Sequence, residues 1–111
     1  MKDKEFIELK DIAQLEPLSG FRVKFIHSSN MTFAYWKIKA NAVLPEHHHV
    51  HEQVAMVTKG ELELTISGTT RIVRPGTIAV IPSGAVHSGK AITACEVTDV
   101  FYPVREDYRN K

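Results

Sequence analysis

The sequence predicts an all-β protein, a sandwich or closed barrel of roughly eight strands. Gly60, Gly68, Gly76 and Gly84 recur every eight residues, a spacing that suits a meander of short strands. Between them the chain is rich in Val, Ile, Leu and Thr, residue types that fill a pleated, half-buried surface. In Glu61-Leu62-Glu63-Leu64-Thr65-Ile66 the apolar side chains fall on even positions and the polar ones mostly on odd, the period of two that a strand with one buried face requires.

Taken in chain order, residues 6 to 15 are ambiguous between a strand and a short helical turn. Phe21-Arg22-Val23-Lys24-Phe25 alternates as a strand, and residues 31 to 40 are apolar and aromatic on both faces, as in a central strand. After residues 61 to 66, Ser67-Gly68-Thr69 supplies a hairpin turn, and further strands are expected near 70 to 74, 77 to 81 and 91 to 102. Pro45, Pro75, Pro82 and Pro103 are placed beside strand ends, where a missing N–H costs least. The apolar side chains Phe6, Ile7, Leu9, Ile12 and Leu15 give the N-terminal segment a strand to lay against a partner's sheet edge, and a homodimer is expected.

With 111 residues, 43% hydrophobic and 24% charged, the chain suits one domain without a linker. Fourteen basic and thirteen acidic residues leave a net charge of +1, which offers no polybasic footprint for nucleic acid or an anionic membrane. No apolar run approaches the roughly 20 residues of a membrane span, and no secretory apolar core follows the start, so a cytoplasmic protein is expected. Cys95 is the only cysteine; it cannot form an internal disulfide, and its apolar neighbours favour a buried, inert thiol.

Five of the six histidines are concentrated at 47, 48, 49, 51 and 87. On an extended strand His47 and His49 would project to one face about 6.5 to 7 Å apart, close enough to converge on one metal ion, with His48 pointing away. Asp99 shares a strand face with Cys95, Val97 and Phe101, and a carboxylate in an apolar row needs a partner. Asp99 could instead pair with a surface cation, Phe101 could be core packing alone, and Arg105 could be a solvated charge.

Spacing extends the histidine pattern. His47-x-His49 is followed by Gln53 and Gly60, and Gly76 by Pro82-Ser83-Gly84 and His87. These two blocks resemble the paired motifs of the cupin superfamily, which implies a single-domain β-barrel (double-stranded β-helix, or jelly roll) over residues 1–111, with residues 1–19 as an N-terminal segment, 20–104 as the barrel and 105–111 as a tail. The resemblance also implies one divalent transition metal (Ni, Zn, Mn or Fe) on His47, His49, Gln53 and His87. Three positions depart from the pattern: Asn41 stands where Gly is usual, Gln53 where Glu is commonest, and Ala91 where Asn is common. Asn tolerates a left-handed backbone, so the first is mild. The second matters chemically, because neutral ligands leave the ion's charge uncancelled, attract an anionic substrate and strengthen Lewis acidity. His51 or Glu52 remains open as the fourth ligand in place of Gln53.

From Gly20 onward the chain also resembles the KdgF family of cupins, through His47-x-His49-x-His51-Glu52-Gln53-Val54, Gly60-Glu61-Leu62-Glu63-Leu64 and Asp99-Val100-Phe101-Tyr102-Pro103-x-Arg105-Glu106-Asp107-Tyr108. That resemblance implies metal-dependent conversion of 4,5-unsaturated monouronates from pectin or alginate into the open-chain keto form. Asp99, Phe101 and Arg105 would surround the anionic sugar. Asp99 would move a proton, and Arg105 would grip the carboxylate. Alternatives are a metal-dependent dioxygenase, a lyase using Tyr35 or Tyr102 as base, and a non-catalytic sugar- or metal-binding cupin.

Overall fold

The structure, a computed structural model, describes residues 5–109. Ten strands form two antiparallel sheets that face each other across the core. The strands are β1 (Leu15–Leu18), β2 (Phe21–His27), β3 (Thr32–Ile38), β4 (Val43–His47), β5 (Glu52–Lys59), β6 (Leu62–Ile66), β7 (Thr69–Val73), β8 (Ile78–Ile81), β9 (His87–Ala91) and β10 (Cys95–Tyr102). The larger sheet runs β1-β2-β3-β10-β5-β8 and the smaller β4-β9-β6-β7, a sandwich as the alternating segments predict and the jelly-roll arrangement that the resemblance implies. A 3-10 turn at Leu9–Asp11 resolves the ambiguous stretch at 6 to 15, and a helical turn at Glu106–Arg109 (α1) closes the C-terminal end.

Alternation decides what is buried. On β10 Cys95, Val97, Asp99 and Phe101 face inward while the residues between them face out, so the row read from the sequence is one inner face of a central strand. Phe21, Val57, Leu62, Leu64, Ile81 and Val97 fill the core. Cys95 belongs to it, and burial pushes its thiol pKa up. The hairpin at Ser67-Gly68 is a two-residue loop with φ of 48° and 85°, the mirror-image turn geometry that matches strand twist. At Gly60 the backbone is also left-handed, and a Cβ there would lie 2.2 Å from the Ala94 carbonyl oxygen, so a side chain is excluded on two grounds.

Three expectations need correction. Ten strands are described rather than roughly eight: β1, β4, β5 and β9 fall outside the stretches named as strands, and β4 and β9 are too polar to show an alternating apolar pattern, so it is their pairing with each other and of β9 with β6 that makes them strands. The expected strand from 91 to 102 is broken at Ile92–Ala94, with β10 starting at Cys95. Pro45 lies inside β4 rather than beside it; β4 is an edge strand whose register shifts between Leu44 and His47, the two settings that tolerate a missing donor.

Candidate metal centre

His47 ends β4, His87 begins β9 directly opposite it, and His49 stands in the connection to β5. The two histidines of the His-x-His pair therefore do not share one extended strand, as the sequence suggests. They converge because the chain bends between His48 and His51 on its way from the small sheet to the large one, carrying His49 across the mouth. One ring nitrogen from each of His47, His49 and His87 lies within 4.8 Å of the others. His48 is exposed, pointing away as expected.

Hydrogen bonds identify which nitrogens converge. His47 Nδ1 is 2.9 Å from the Pro45 carbonyl, His49 Nδ1 2.9 Å from that of His51, and His87 Nδ1 2.9 Å from that of Ala85. A carbonyl oxygen only accepts, so Nδ1 donates in all three, and each neutral ring presents an Nε2 lone pair to the centre. Burial lowers the pKa of His49 to about 4, with Arg105 adding repulsion, and burial also lowers that of His87. His87 Nε2 is buried without a hydrogen-bond partner, and Gln53 Oε1 faces His49 Nε2 at 3.1 Å. Converging lone pairs repel one another unless a cation lies between them, so the donor set fits a divalent metal.

The alternatives to Gln53 separate by position. Glu52 is exposed on the outer face of β5, and the His51 ring is not among the converging nitrogens. Gln53 is buried on the inner face beside Asp99. The two departures Asn41 and Ala91 meet each other: Asn41 adopts φ 70°, and its N–H donates to the Ala91 carbonyl at 2.7 Å.

Asp99 lies buried at the middle of β10. Its cross-strand partners are Ala34 and Ala55, so the diagonal neighbours Trp36 on β3 and Gln53 on β5 flank it on the same face. Burial raises its pKa to about 7, against the opposing influence of Gln53, Trp36 and Arg105. Only N–H donation lets the Gln53 amide favour the ionised carboxylate, so its oxygen is left for the histidine side. Asp99 Oδ1 and Trp36 Nε1 each lack a well-formed hydrogen bond.

Arg105 is not a solvated charge. Only 7% exposed, its guanidinium is 4.8 Å from the Phe101 ring centroid and 4.1 Å from that of Tyr108. Asp107 holds it through Nε at 3.0 Å and Nη2 at 2.8 Å, leaving three N–H donors for a ligand. No expectation from the sequence attaches a role to Asp107, Tyr108 or Trp36; Tyr108 stands three residues from Arg105, a spacing that signals contact on a helical turn, whereas the two-residue spacing of Asp107 carries no such signal. Phe101 is both core and wall, edge-on to His49 at 5.7 Å. Tyr35 faces outward and Tyr102 is 57% exposed on the outer face, so neither reaches the site as a base.

These groups line one cavity of about 250 Å³ between the sheets, below the ~300–1,000 Å³ usual for larger organic ligands and suited to a small one. Its acid supplies a pH test. The Asp99 pKa is raised from 3.8 to about 7, so the folded state prefers the protonated form, and this contribution to stability is full below pH 3.8 and lost as pH rises through about 7. In metal-stripped protein, Asp99→Asn is expected to gain on the wild type by on the order of 2–3 kcal/mol between pH 5 and pH 8 in urea unfolding. A difference that does not change with pH would show that the carboxyl is not buried.

A family model described as "Cupin domain" matches residues 34–101. Among solved structures, KdgF from Halomonas sp. is similar over 93% of this chain and 96% of its own, with TM-score 0.86 and 26% identity. An RmlC-like cupin from Shewanella frigidimarina aligns over 95% and 96% with TM-score 0.89 and 21% identity. Oxalate decarboxylase from Bacillus subtilis aligns over 87% of this chain and 29% of its own, with TM-score 0.75 and 24% identity. The last two similarities show the fold alone. No curated protein matches the sequence. No helix among the described residues is long and apolar enough to cross a membrane.

Proposed function

Since the chain belongs to the cupin family, with a three-histidine centre of metal-binding type, we propose that it converts 4,5-unsaturated monouronates to their linear keto form. His47, His49, Gln53 and His87 would hold one divalent transition metal. The observation that carries the reading is Asp99, a buried carboxyl with a pKa of about 7 in the same cavity as the histidines and Arg105. Likeness to KdgF over nearly the whole chain supports the substrate class.

When bound, the metal supplies Lewis acidity to a substrate oxygen, undiminished by any anionic ligand in this set. The protein's own groups do the rest. Arg105 binds the uronate carboxylate with the donors that Asp107 leaves free, and its stacking between Phe101 and Tyr108 fixes the fork in one orientation. Ring opening releases the proton of the anomeric hydroxyl and leaves an enolate, and protonation of the ring carbon that carried the double bond completes the ketone. Asp99 accepts the first proton and delivers the second, so no net proton, electron or nucleophile is consumed. A pKa near the working pH suits both transfers. Phe101 and the surrounding core keep water from competing.

Incubation of metal-loaded protein with 4,5-unsaturated galacturonate is expected to accelerate the loss of ultraviolet absorbance from the conjugated double bond. Decay no faster than the spontaneous rate would discard this function.

A further inference from the structure

Two hydrogen bonds and a column of rings lead from Arg105 to His27, a residue outside the cavity that takes part in no step of the chemistry. His27 ends β2 and stands directly opposite Thr32, the first residue of β3. Thr32 is fully buried, and its hydroxyl oxygen accepts the backbone N–H of Arg105 at 2.9 Å. The same oxygen is 2.9 Å from His27 Nδ1. A hydroxyl has a single proton to donate. With the Arg105 N–H on one of its lone pairs, that proton goes to Nδ1 of a neutral ring. Burial, followed by repulsion from Arg109, lowers the His27 pKa and so favours the neutral form. Nε2 then carries the ring proton, which the Tyr108 carbonyl attracts.

A second path reaches the other end of Arg105. The His27 ring stacks on Phe25 with centroids 6.0 Å and planes 27° apart, and Phe25 stacks on Tyr108 at 4.3 Å and 22°. The Arg105 guanidinium lies 4.1 Å from the Tyr108 ring centroid, so four planar groups form one column that ends on the charge. Arg105 needs such an anchor because it follows the end of β10 and belongs to no ladder. Asp107, Tyr108 and Arg109 bond it within its own turn. A four-residue helix has no stability by itself. Contacts with the sheet must therefore place it.

We propose that His27 and Thr32 are positioning residues for Arg105: Thr32 fixes its backbone, His27 orients that hydroxyl and supports the ring column, and together they aim the guanidinium at the substrate carboxylate. That this carboxylate belongs to a uronate rests on the proposed function, whereas the anchor stands on the geometry alone. Asp107 occupies the Nε and Nη2 edge, so a ligand has only the Nη1 side of the fork. A two-pronged contact there tolerates little rotation.

Thr32→Val keeps the branched shape and removes the hydroxyl, Thr32→Ser restores it, and His27→Ala removes the group from which both paths start. In zinc-loaded, isotope-labelled protein, nuclear magnetic resonance is expected to show the Arg105 Nε–H signal shifted and the Arg105 amide exchanging at least about tenfold faster in Thr32→Val and His27→Ala. Amides of β10 should keep wild-type protection, and Thr32→Ser should match the wild type throughout. With 4,5-unsaturated galacturonate, the first two variants should raise KM by about ten- to a hundredfold, the range from one lost charge-assisted hydrogen bond to a misplacement of ~1 Å, with kcat within about twofold. A structural role would lower stability and the active fraction without this split. Thr32 is fully buried, so if Thr32→Val does not fold, His27→Ala, at a half-buried position, supplies both measurements. Wild-type exchange and resonance in either folded variant overturns the proposal. So does loss of protection throughout β10, and so does a fall in kcat with KM unchanged. A wild type that leaves the uronate at its spontaneous rate discards the substrate instead, and the resonance and exchange data then decide the anchor by themselves.

Discussion

Asp99→Asn is expected to lower turnover of 4,5-unsaturated galacturonate by at least about a hundredfold, the scale of a removed general acid or base, while metal content stays at the wild-type level. Asn preserves the shape of the side chain and can still meet Trp36 and Gln53, but it cannot carry a proton. Packing costs are small because the group stays polar in the same pocket, so the variant separates chemistry from structure better than Ala would. Arg105→Lys is the comparison. Lys keeps the charge but loses the planar fork that Asp107, Phe101 and Tyr108 hold in place, and it should chiefly raise KM. Near-normal turnover in Asp99→Asn, on protein of confirmed metal content, would reduce Asp99 to a structural residue and require the proton to come from elsewhere in the cavity.

The His47→Ala/His49→Ala variant is expected to bind its metal more than about a hundredfold more weakly, beyond the 10–100-fold typical of losing an outer hydrogen-bond partner. It removes two of the three converging Nε2 donors and leaves His87 and Gln53, too few for a divalent ion at four coordination positions. The fold should survive, since neither ring is part of the described hydrophobic core and both belong to or follow an edge strand. Elemental analysis after gel filtration reads the loss directly, and circular dichroism reports the fold. Stoichiometric metal in the double variant would exclude the three-histidine centre and move the ligands to other donors such as His48 or His51.

Much of this protein is legible in the sequence because strand periodicity is local. Alternation in residues 61–66 and 95–101 needs only neighbouring side chains to declare which face is buried, and it places Asp99 and Phe101 on one inner face before any pairing is known. Glycine spacing and the His-x-His block are similarly short-range, and they yield the all-β class and the histidine cluster, while the jelly roll follows from the family resemblance. Tertiary structure alone decided what the cluster can do. His49 reaches the centre from a bent connection rather than a strand, and His87 meets His47 because β9 pairs with β4, two strands too polar to be recognised from their own residues. The pKa of Asp99 depends on its burial between the sheets, a property that no local window of sequence contains. Arg105, without the family resemblance, could equally be a solvated tail charge, and only α1, folding back, places Tyr108 and Asp107 against it.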